Sequence, residues 1–167
     1  MPISFQHDIL PLKNELYRLA LRITLSREEA EDIVQDTMVK VWNNREHWQA
    51  IDSIEAYCLT ICRNLSLDAL RKKDNQHQSI DDATMQAPQF ATQNLQESII
   101  RNNRIEIIHQ LVDALPEKQR SCMQLRDFEG KPYKEIASIL GITEEQVKVN
   151  IFRARQTIKQ RYQEIER

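Results

Sequence analysis

The side chains best suited to binding chemistry in this chain are basic, and they crowd its C-terminal end. From Gln146 onward the sequence has six Lys or Arg residues against two Glu residues. Basic side chains on a helix bind phosphates, and those near the N-terminus of a reading helix also reach base edges in the DNA major groove. The pattern favours a DNA-reading helix over a plain solvated helix face. The residues expected on its exposed face are Lys148, Asn150, Arg153, Arg155, Lys159 and Arg161.

Two predicted helices joined by a tight turn would position this face. Gly141 stands where the first helix needs a left-handed backbone in order to end. Thr143 and Gln146 are three residues apart and form a capping box at the start of the second helix. This arrangement is a helix-turn-helix, whose second helix normally lies in the major groove. The apolar faces expected to pack together are Ile136, Ala137 and Leu140 in the first helix and Val147, Ile151, Ala154 and Ile158 in the second.

Charge is distributed unevenly, although the net charge of −2 is small. Residues 1–73 carry ten basic and eleven acidic side chains, 74–100 carry none and four, and 101–167 carry thirteen and ten. The basic part is therefore the C-terminal one. The sequence has no apolar run long enough for a membrane span and no signal peptide, so we expect a cytoplasmic protein with no membrane insertion of its own.

The composition predicts an all-α fold of two small helical domains joined by a flexible linker. Only two glycines and five prolines interrupt the sequence, and strand-like alternation is nearly absent. From residue 74 to about 95 the chain lacks Lys and Arg and is rich in Gln, Asn, Asp and Ala, as linkers are. The predicted boundaries are 1–73, 74–98 and 99–167, with the helix-turn-helix in the last.

Capping residues and apolar spacing place the remaining helices. A first helix is predicted over about 11–24, and Ser26 with Glu29 makes a capping box for a second. Ser53 caps a third helix that extends to about Lys73. In the C-terminal part Pro116 ends one helix and suits the start of another, which extends to about Phe128. The inward face predicted before Pro116 consists of Ile105, Ile108, Leu111, Val112 and Leu115.

Three further features of the N-terminal part are candidate sites. The second helix exposes an acidic face with Asp32, Gln35 and Asp36, and a polar loop over 43–52 carries Trp48. The end of the third helix presents Arg63, Asn64, Arg71, Lys72 and Lys73, which suit phosphates but also complement the helix dipole. Trp48 has two open interpretations, a core residue or an exposed aromatic side chain.

Neither the cysteines nor the histidines indicate catalysis. Cys58 and Cys62 are four residues apart on one helix face, without a CxxC pair or a nearby histidine, and we expect buried thiols that act as small apolar residues. No nucleophile has a paired base and no spacing indicates a metal or a cofactor. The chain is therefore not expected to be an enzyme.

Three segments, in this order and at this spacing, resemble an extracytoplasmic-function (ECF) sigma factor of the sigma-70 family. The family's polymerase-binding helix is similar to AEDIVQDTMVKVW, and its promoter-melting helix is similar to YCLTICRNLSLDALRKK. Its C-terminal reader is similar to LPEKQRSCMQLRDFEGKPYKEIASILGITEEQVKVNIFRARQTI. The resemblance covers both predicted domains, roughly 10–73 and 100–162.

The resemblance implies a specificity subunit of RNA polymerase. Asp32, Gln35 and Asp36 would bind the β′ clamp helices of the core enzyme, which also contacts such factors through its β subunit. Trp48 and Asn64 would hold a flipped base of the −10 promoter element. Phosphates beside that base would be bound by Arg63, Arg71, Lys72 and Lys73.

The −35 element would be read by the C-terminal helix-turn-helix. The positions implied are Lys148, Val149, Asn150, Phe152, Arg153 and Arg155. Phe152 has an alternative interpretation as a packing residue beside Ile151, and Val149 replaces the small polar residue common in the family. The resemblance also implies control by an anti-sigma factor. The competing interpretation is a stand-alone helix-turn-helix regulator that binds operator DNA by itself.

Overall fold

The chain folds into α-helices in both parts that the structure describes. This computed structural model describes residues 2–76, the N-terminal half, and 104–166, the C-terminal half. Helices and short helical turns make up the regular structure of both halves, and no strand occurs in either, so the all-α prediction is confirmed. None of these helices is both long and apolar enough to cross a lipid bilayer. Most of the predicted linker lies outside the described residues.

The N-terminal half consists of three packed helices. Ser26 Oγ accepts a hydrogen bond from the Glu29 N–H at 3.3 Å, which confirms the N-cap. The reciprocal bond of a capping box is absent, because the Ser26 N–H donates to Thr24 Oγ1 instead. Ser53 Oγ caps the third helix through the Ala56 N–H at 3.1 Å. The helices are α1 (Lys13–Thr24), α2 (Arg27–Asn43) and α3 (Ile54–Gln76), with a 3-10 turn at Arg45–Ala50 before the third.

Leu25 ends α1 in a left-handed conformation, with φ of 59°, and its side chain is half exposed. A left-handed backbone costs an L-amino acid roughly 1–2 kcal/mol, which glycine avoids. Leu25→Gly should therefore be more stable than Leu25→Ala, by about 1 kcal/mol, in urea denaturation. Both variants lose the same exposed leucine contacts, so Leu25→Ala is the matched control. Equal stabilities would show that this φ is not strained.

The C-terminal half consists of four helices, and the predicted inward face of the first is confirmed at Leu111, Val112 and Leu115 but not at Ile105. Ile105 is 70% exposed, whereas Ile107 is buried, so the predicted inward position of Ile105 is wrong. The reason is long-range: Ile107 and Leu111 pack against Ile158, Tyr162 and Ile165 near the end of the last helix. The helices are α4 (Arg104–Asp113), α5 (Glu117–Met123), α6 (Tyr133–Leu140) and α7 (Glu144–Glu166), with a π-helical turn at Gln124–Phe128.

The two halves share one apolar core. Leu125, Ile136 and Leu140 of the C-terminal half belong to the same buried cluster as Leu16 and Leu19 of α1. Helix α1 contacts α5, and α3 contacts α6. The N-terminal half is thus covered on one side by the helix-turn-helix unit and the segment that precedes it.

His109 lies at this junction, in surroundings that disfavour its protonated form. Its ring stacks on Phe128, and Nδ1 is 2.6 Å from Arg22 Nη2. Burial, and then the Arg22 cation, lower the pKa of His109 below its ordinary value of 6.5, while Asp113 opposes this shift. At pH values between the pKa of His109 in the folded state and its pKa in the unfolded state, the folded state therefore binds fewer protons than the unfolded state. The stability contribution is fully present above the unfolded pKa and is lost as pH falls through the folded pKa.

Urea denaturation between pH 7.5 and pH 5 should therefore show a free energy of unfolding that falls with pH. His109→Gln should reduce this slope, because the variant has no proton to gain. The exposed His47 gives the matched control, and His47→Gln should keep the slope of the unmodified chain. An unchanged slope in His109→Gln would contradict the assignment.

Candidate nucleic-acid interface

The turn between α6 and α7 has the geometry that the sequence predicts. Gly141 has φ of 69°, and its N–H donates to the Ala137 carbonyl at 2.9 Å. The Gln146 N–H donates to Thr143 Oγ1 at 3.1 Å, and the Thr143 N–H donates to Gln146 Oε1 at 3.0 Å. Both bonds of the capping box are therefore confirmed, and they fix the direction in which α7 leaves the turn.

Helix α7 has a buried apolar face and, on its other side, a face exposed to solvent. Val147, Ile151 and Ala154 are buried and Ile158 is half-buried, as their spacing predicts. Val147 and Ile151 lie in the same buried cluster as α6, whereas Ala154 packs with Val112, Leu115 and Met123. On the other face Lys148 and Arg153 are exposed. The orientation of α7 is thus set by its buried stripe, and the basic residues face solvent as a consequence.

Two apolar side chains lie on this exposed face. Phe152 is 63% exposed and Val149 is 45% exposed, so Phe152 does not pack inward beside Ile151. Together they form a small apolar surface, for which a thymine methyl group or a sugar is a suitable contact in a DNA groove. We refer to Lys148, Val149, Phe152 and Arg153 as the reading face.

Asn150 and Arg155, which were also predicted to contact DNA, already have partners within the protein. Asn150 Nδ2 donates to the Gln146 carbonyl at 2.8 Å. Arg155 donates to both carboxylate oxygens of Asp127, from Nη2 at 2.5 Å and from Nε at 3.2 Å. This hydrogen bonding raises the pKa of Arg155. The structure therefore places Arg155 in a salt bridge rather than free on the reading face.

Trp48 lies in the core of the N-terminal half. Only 6% of it is exposed, and its ring N–H donates to the Val41 carbonyl at 2.9 Å. Its ring stacks with Phe5 at a centroid distance of 6.4 Å and meets Trp42 edge-on at 6.1 Å. Of the two interpretations left open by the sequence, the structure favours the core residue. One edge of Trp48 nevertheless lines a cavity of about 480 Å³, together with Pro2, Ile3, Gln49 and Ile51.

The basic end of α3 is divided between a buried and an exposed part. Arg63 is only 7% exposed, because α5 and α6 cover it. This burial was not predictable from local sequence, and it leaves Arg63 unavailable to DNA in this arrangement. The other four candidates on this helix are exposed: Asn64, Arg71, Lys72 and Lys73.

The acidic face of α2 continues into an apolar patch that the sequence reasoning missed. Asp32, Gln35 and Asp36 are all exposed, and Val39 and Trp42 follow them at helical spacing with 57% and 46% exposure. The available indication was the spacing, because Val39 is four residues after Gln35 and Trp42 is three residues after Val39. The apolar patch borders a groove of about 400 Å³, whose lining is Phe5, Met38, Val39 and Trp42.

The cysteines are buried and poorly suited to chemistry. Burial raises the pKa of Cys58, Cys62 and Cys122 to about 12 in each case. A protonated thiol is a weak nucleophile and a weak metal ligand. Within residues 2–76 and 104–166 no group of His, Cys, Asp and Glu side chains is arranged to hold a metal ion.

Comparison with known proteins agrees with this geometry. The family model for sigma-70 region 2 matches residues 9–76, and the model for sigma-70 region 4 matches residues 105–158. These two segments correspond to the helices that carry the acidic face and to those that carry the reading face.

Individual sigma factors are similar to this chain over most of its length, both in sequence and in fold. The chain is 28% identical to the ECF RNA polymerase sigma factor SigE of Mycolicibacterium smegmatis, over 87% of this chain and 56% of that protein. It is 25% identical to the RNA polymerase sigma-H factor of Pseudomonas aeruginosa, over 93% and 84%. Its fold is similar to that of the sigma factor RpoE from Bartonella quintana, solved in complex with the anti-sigma factor NepR. That similarity has a TM-score of 0.74 and 22% identity, over 93% and 94% of the two chains. The chain therefore belongs to the sigma-70 family of RNA polymerase sigma factors, and within it to the ECF group.

Proposed function

We propose that the chain binds core RNA polymerase, recognises the −35 and −10 promoter elements, and stabilises the separated strands at the start of transcription. The observation that carries this proposal is the exposed reading face on the second helix of a well-formed helix-turn-helix. The membership of the chain in the sigma-70 family supports RNA polymerase as its partner. The protein would act where the polymerase is, in the cytoplasm, and would perform no reaction on a substrate.

The face of α2 is proposed to bind the polymerase. Asp32 and Asp36 offer negative charge to a basic partner, and Gln35 between them offers hydrogen bonds. Val39 and Trp42 add an exposed apolar area, which the core of a protein interface commonly needs. The matching partner surface is an extended one with basic residues at one end and apolar residues at the other, and the coiled-coil β′ clamp helices are the partner proposed for it.

The reading face is proposed to lie in the major groove of the −35 element. Lys148 and Arg153 can donate to guanine edges or to phosphates, and Phe152 and Val149 can contact thymine methyl groups. Lys148 Nζ lies 5.7 Å from the centre of the Tyr133 ring, which orients this long side chain toward the start of α6. Arg155 would contact DNA only after exchanging Asp127 for a phosphate.

The −10 element is proposed to bind along α3. Asn64 can hydrogen-bond to a base edge, and Arg71, Lys72 and Lys73 can bind phosphates beside it, since all four are exposed. Trp48 would contribute one wall of the cavity that it lines with Gln49 and Ile51, rather than a free stacking surface. Arg63 would join these contacts only if the C-terminal half moved away.

An anti-sigma factor is proposed as a second partner. The support is that the sigma factor RpoE, whose fold this chain shares, was solved with the anti-sigma factor NepR. Such a protein would prevent transcription by covering the face of α2 that is proposed to bind the polymerase, or the proposed DNA-binding surfaces on α3 and α7.

Association with purified core RNA polymerase tests the proposal. The full chain should co-elute with core polymerase in size-exclusion chromatography and should bind it with a measurable Kd. A chain that binds duplex DNA with sequence preference, yet shows no association with core polymerase at micromolar concentration, would instead be a stand-alone regulator.

Arg153→Ala should weaken binding to a promoter duplex by roughly 5- to 150-fold, corresponding to about 1–3 kcal/mol for a good base contact. The measurement is fluorescence anisotropy with the polymerase-bound protein at fixed ionic strength. Lys159→Ala removes an exposed charge further along the same helix and is the matched control, with an expected loss below about 5-fold. Equal losses for the two variants would indicate that Arg153 contributes charge alone.

A further inference from the structure

A carboxylate beside the reading face holds an arginine of α7. Asp127 lies in the π-helical turn at Gln124–Phe128, and Arg155 lies on α7 three residues after Phe152. Residues three apart on a helix are neighbours, so Arg155 borders the reading face. Its Nη2 is 2.5 Å from Asp127 Oδ1, and its Nε is 3.2 Å from Oδ2. Both carboxylate oxygens of Asp127 thus occupy two donors on one edge of the guanidinium.

The same edge of Arg155 would suit a DNA phosphate. Arginine binds carboxylates and phosphates in the same two-pronged geometry, through two parallel N–H groups. A phosphate can therefore bind to these two donors only after Asp127 has left them. If Asp127 stays, its negative charge faces the phosphate backbone and offsets the attraction of Arg155. In both cases the net contribution of Arg155 to DNA binding is small.

The two cations of the reading face have no such competitor. Lys148 and Arg153 are both exposed, and within residues 2–76 and 104–166 neither of them forms an ion pair. These are the side chains that the proposed function assigns to guanine edges and phosphates. Asp127 thus neutralises a cation at the border of the reading face and leaves the cations of the reading face itself free.

The stability of the fold gives little reason for this pair. The Arg155 side chain is 51% exposed and that of Asp127 is 26% exposed. Exposed ion pairs contribute little to stability, because water and salt screen them and two side chains lose freedom. The Asp127 carboxylate has no other hydrogen-bond partner in the part of the chain that the structure describes. An effect on binding is therefore the better explanation for its position.

We propose that Asp127 is an internal competitor for DNA phosphate, and that by occupying Arg155 it limits binding of the chain to non-promoter DNA. Phosphate contacts supply essentially all of the affinity for non-promoter DNA, whereas a promoter offers base contacts in addition. A genome offers roughly 10⁶–10⁹ non-promoter sites, so the affinity for them determines how much of the chain stays available. The proposal rests on the proposed function, because it requires α7 to meet DNA.

The salt dependence of duplex binding tests this role of Asp127. Asp127→Asn keeps the shape of the side chain and removes its charge, which frees Arg155 to bind one further phosphate. The full chain is titrated onto a labelled non-promoter duplex at salt concentrations between about 50 and 200 mM. The slope of log K against log salt should become steeper by about 0.9, and the affinity at about 50 mM should rise about 5-fold. If Asp127→Asn loses helical circular dichroism, Asp127→Ala is judged by the same criterion.

Arg155→Gln identifies the cation that the carboxylate restrains. In the unmodified chain this change should alter the slope by less than about 0.3, because Arg155 is already occupied, but in Asp127→Asn it should remove about 0.9. Glu164→Gln is the matched control, since it removes one exposed carboxylate from α7. It should alter the slope by less than about 0.3.

An unchanged slope in Asp127→Asn would overturn the proposal. An equal loss of slope on Arg155→Gln in both backgrounds would also overturn it, because Arg155 would then bind phosphate despite Asp127. A change in Glu164→Gln as large as that in Asp127→Asn would show that overall charge accounts for the effect.

The proposed function has a separate readout. If the polymerase-bound chain has the same affinity for promoter and non-promoter duplexes, the proposed promoter recognition is overturned, while the slopes still decide the role of Asp127. Absence of duplex binding by the free chain in every variant, at about 50 mM salt, would overturn the role of Asp127. In that case promoter binding by the polymerase-bound chain would still decide the proposed function.

Discussion

Asp32→Arg/Asp36→Arg is expected to weaken binding of the chain to core RNA polymerase by about 100-fold or more. Interface residues that dominate binding cost about 2 kcal/mol or more each when removed, and 1.4 kcal/mol is a tenfold change. Reversal adds repulsion from a basic partner to this loss. Both side chains are exposed on α2, so the fold should be retained. The measurement is the Kd for core polymerase by anisotropy of the labelled chain.

Glu164→Arg/Glu166→Arg makes the same charge change at the exposed end of α7 and serves as its control. This variant should bind polymerase within a few-fold of the unmodified chain. If both double variants lost affinity equally, long-range charge rather than the acidic face would determine binding. If neither lost affinity, the assignment of α2 would be wrong.

Trp48→Ala is expected to destabilise the protein by about 3–5 kcal/mol, as loss of a buried tryptophan does. The variant removes the contacts with Phe5 and Trp42 and leaves the Val41 carbonyl without the ring N–H. Urea denaturation measures this loss directly. Trp42→Ala is the matched control, because Trp42 is 46% exposed and should cost far less.

A second variant at Trp48 distinguishes a packing role of this side chain from a role in binding a base. Trp48→Phe keeps an aromatic ring while losing the N–H donor, so most of the stability should remain. Its affinity for single-stranded −10 DNA, measured with polymerase, should also be close to that of the unmodified chain if Trp48 acts chiefly through packing. A large loss of affinity with little loss of stability would show that the ring edge itself binds the base.

Local sequence was sufficient to predict the helix-turn-helix. A glycine at the end of α6 and the Thr143–Gln146 capping box act within a few residues, and the structure forms each bond that they predict. The buried stripe of α7 follows from spacing alone, and it determines which residues face outward. The reading face could therefore be located, although its contacts with DNA remain a prediction.

Long-range packing determines which residues of α4 and α3 are buried, and local sequence could not predict this. Ile105 fits the apolar spacing of α4, but the end of α7 covers Ile107 instead. Arg63 resembles a phosphate-binding residue until α5 and α6 are placed over it. Both outcomes depend on residues that are at least 50 positions away, for which a helical pattern carries no information. The acidic face of α2 was recognisable, whereas its apolar continuation at Val39 and Trp42 was overlooked.

Run-off transcription by purified core RNA polymerase, with and without the full chain, on a library of promoter fragments tests the central proposal most directly. The account predicts discrete start sites that appear only when the chain is added, with shared bases centred about 10 and 35 positions upstream. Transcripts that are the same with and without the chain, at a concentration that saturates the polymerase, would contradict it.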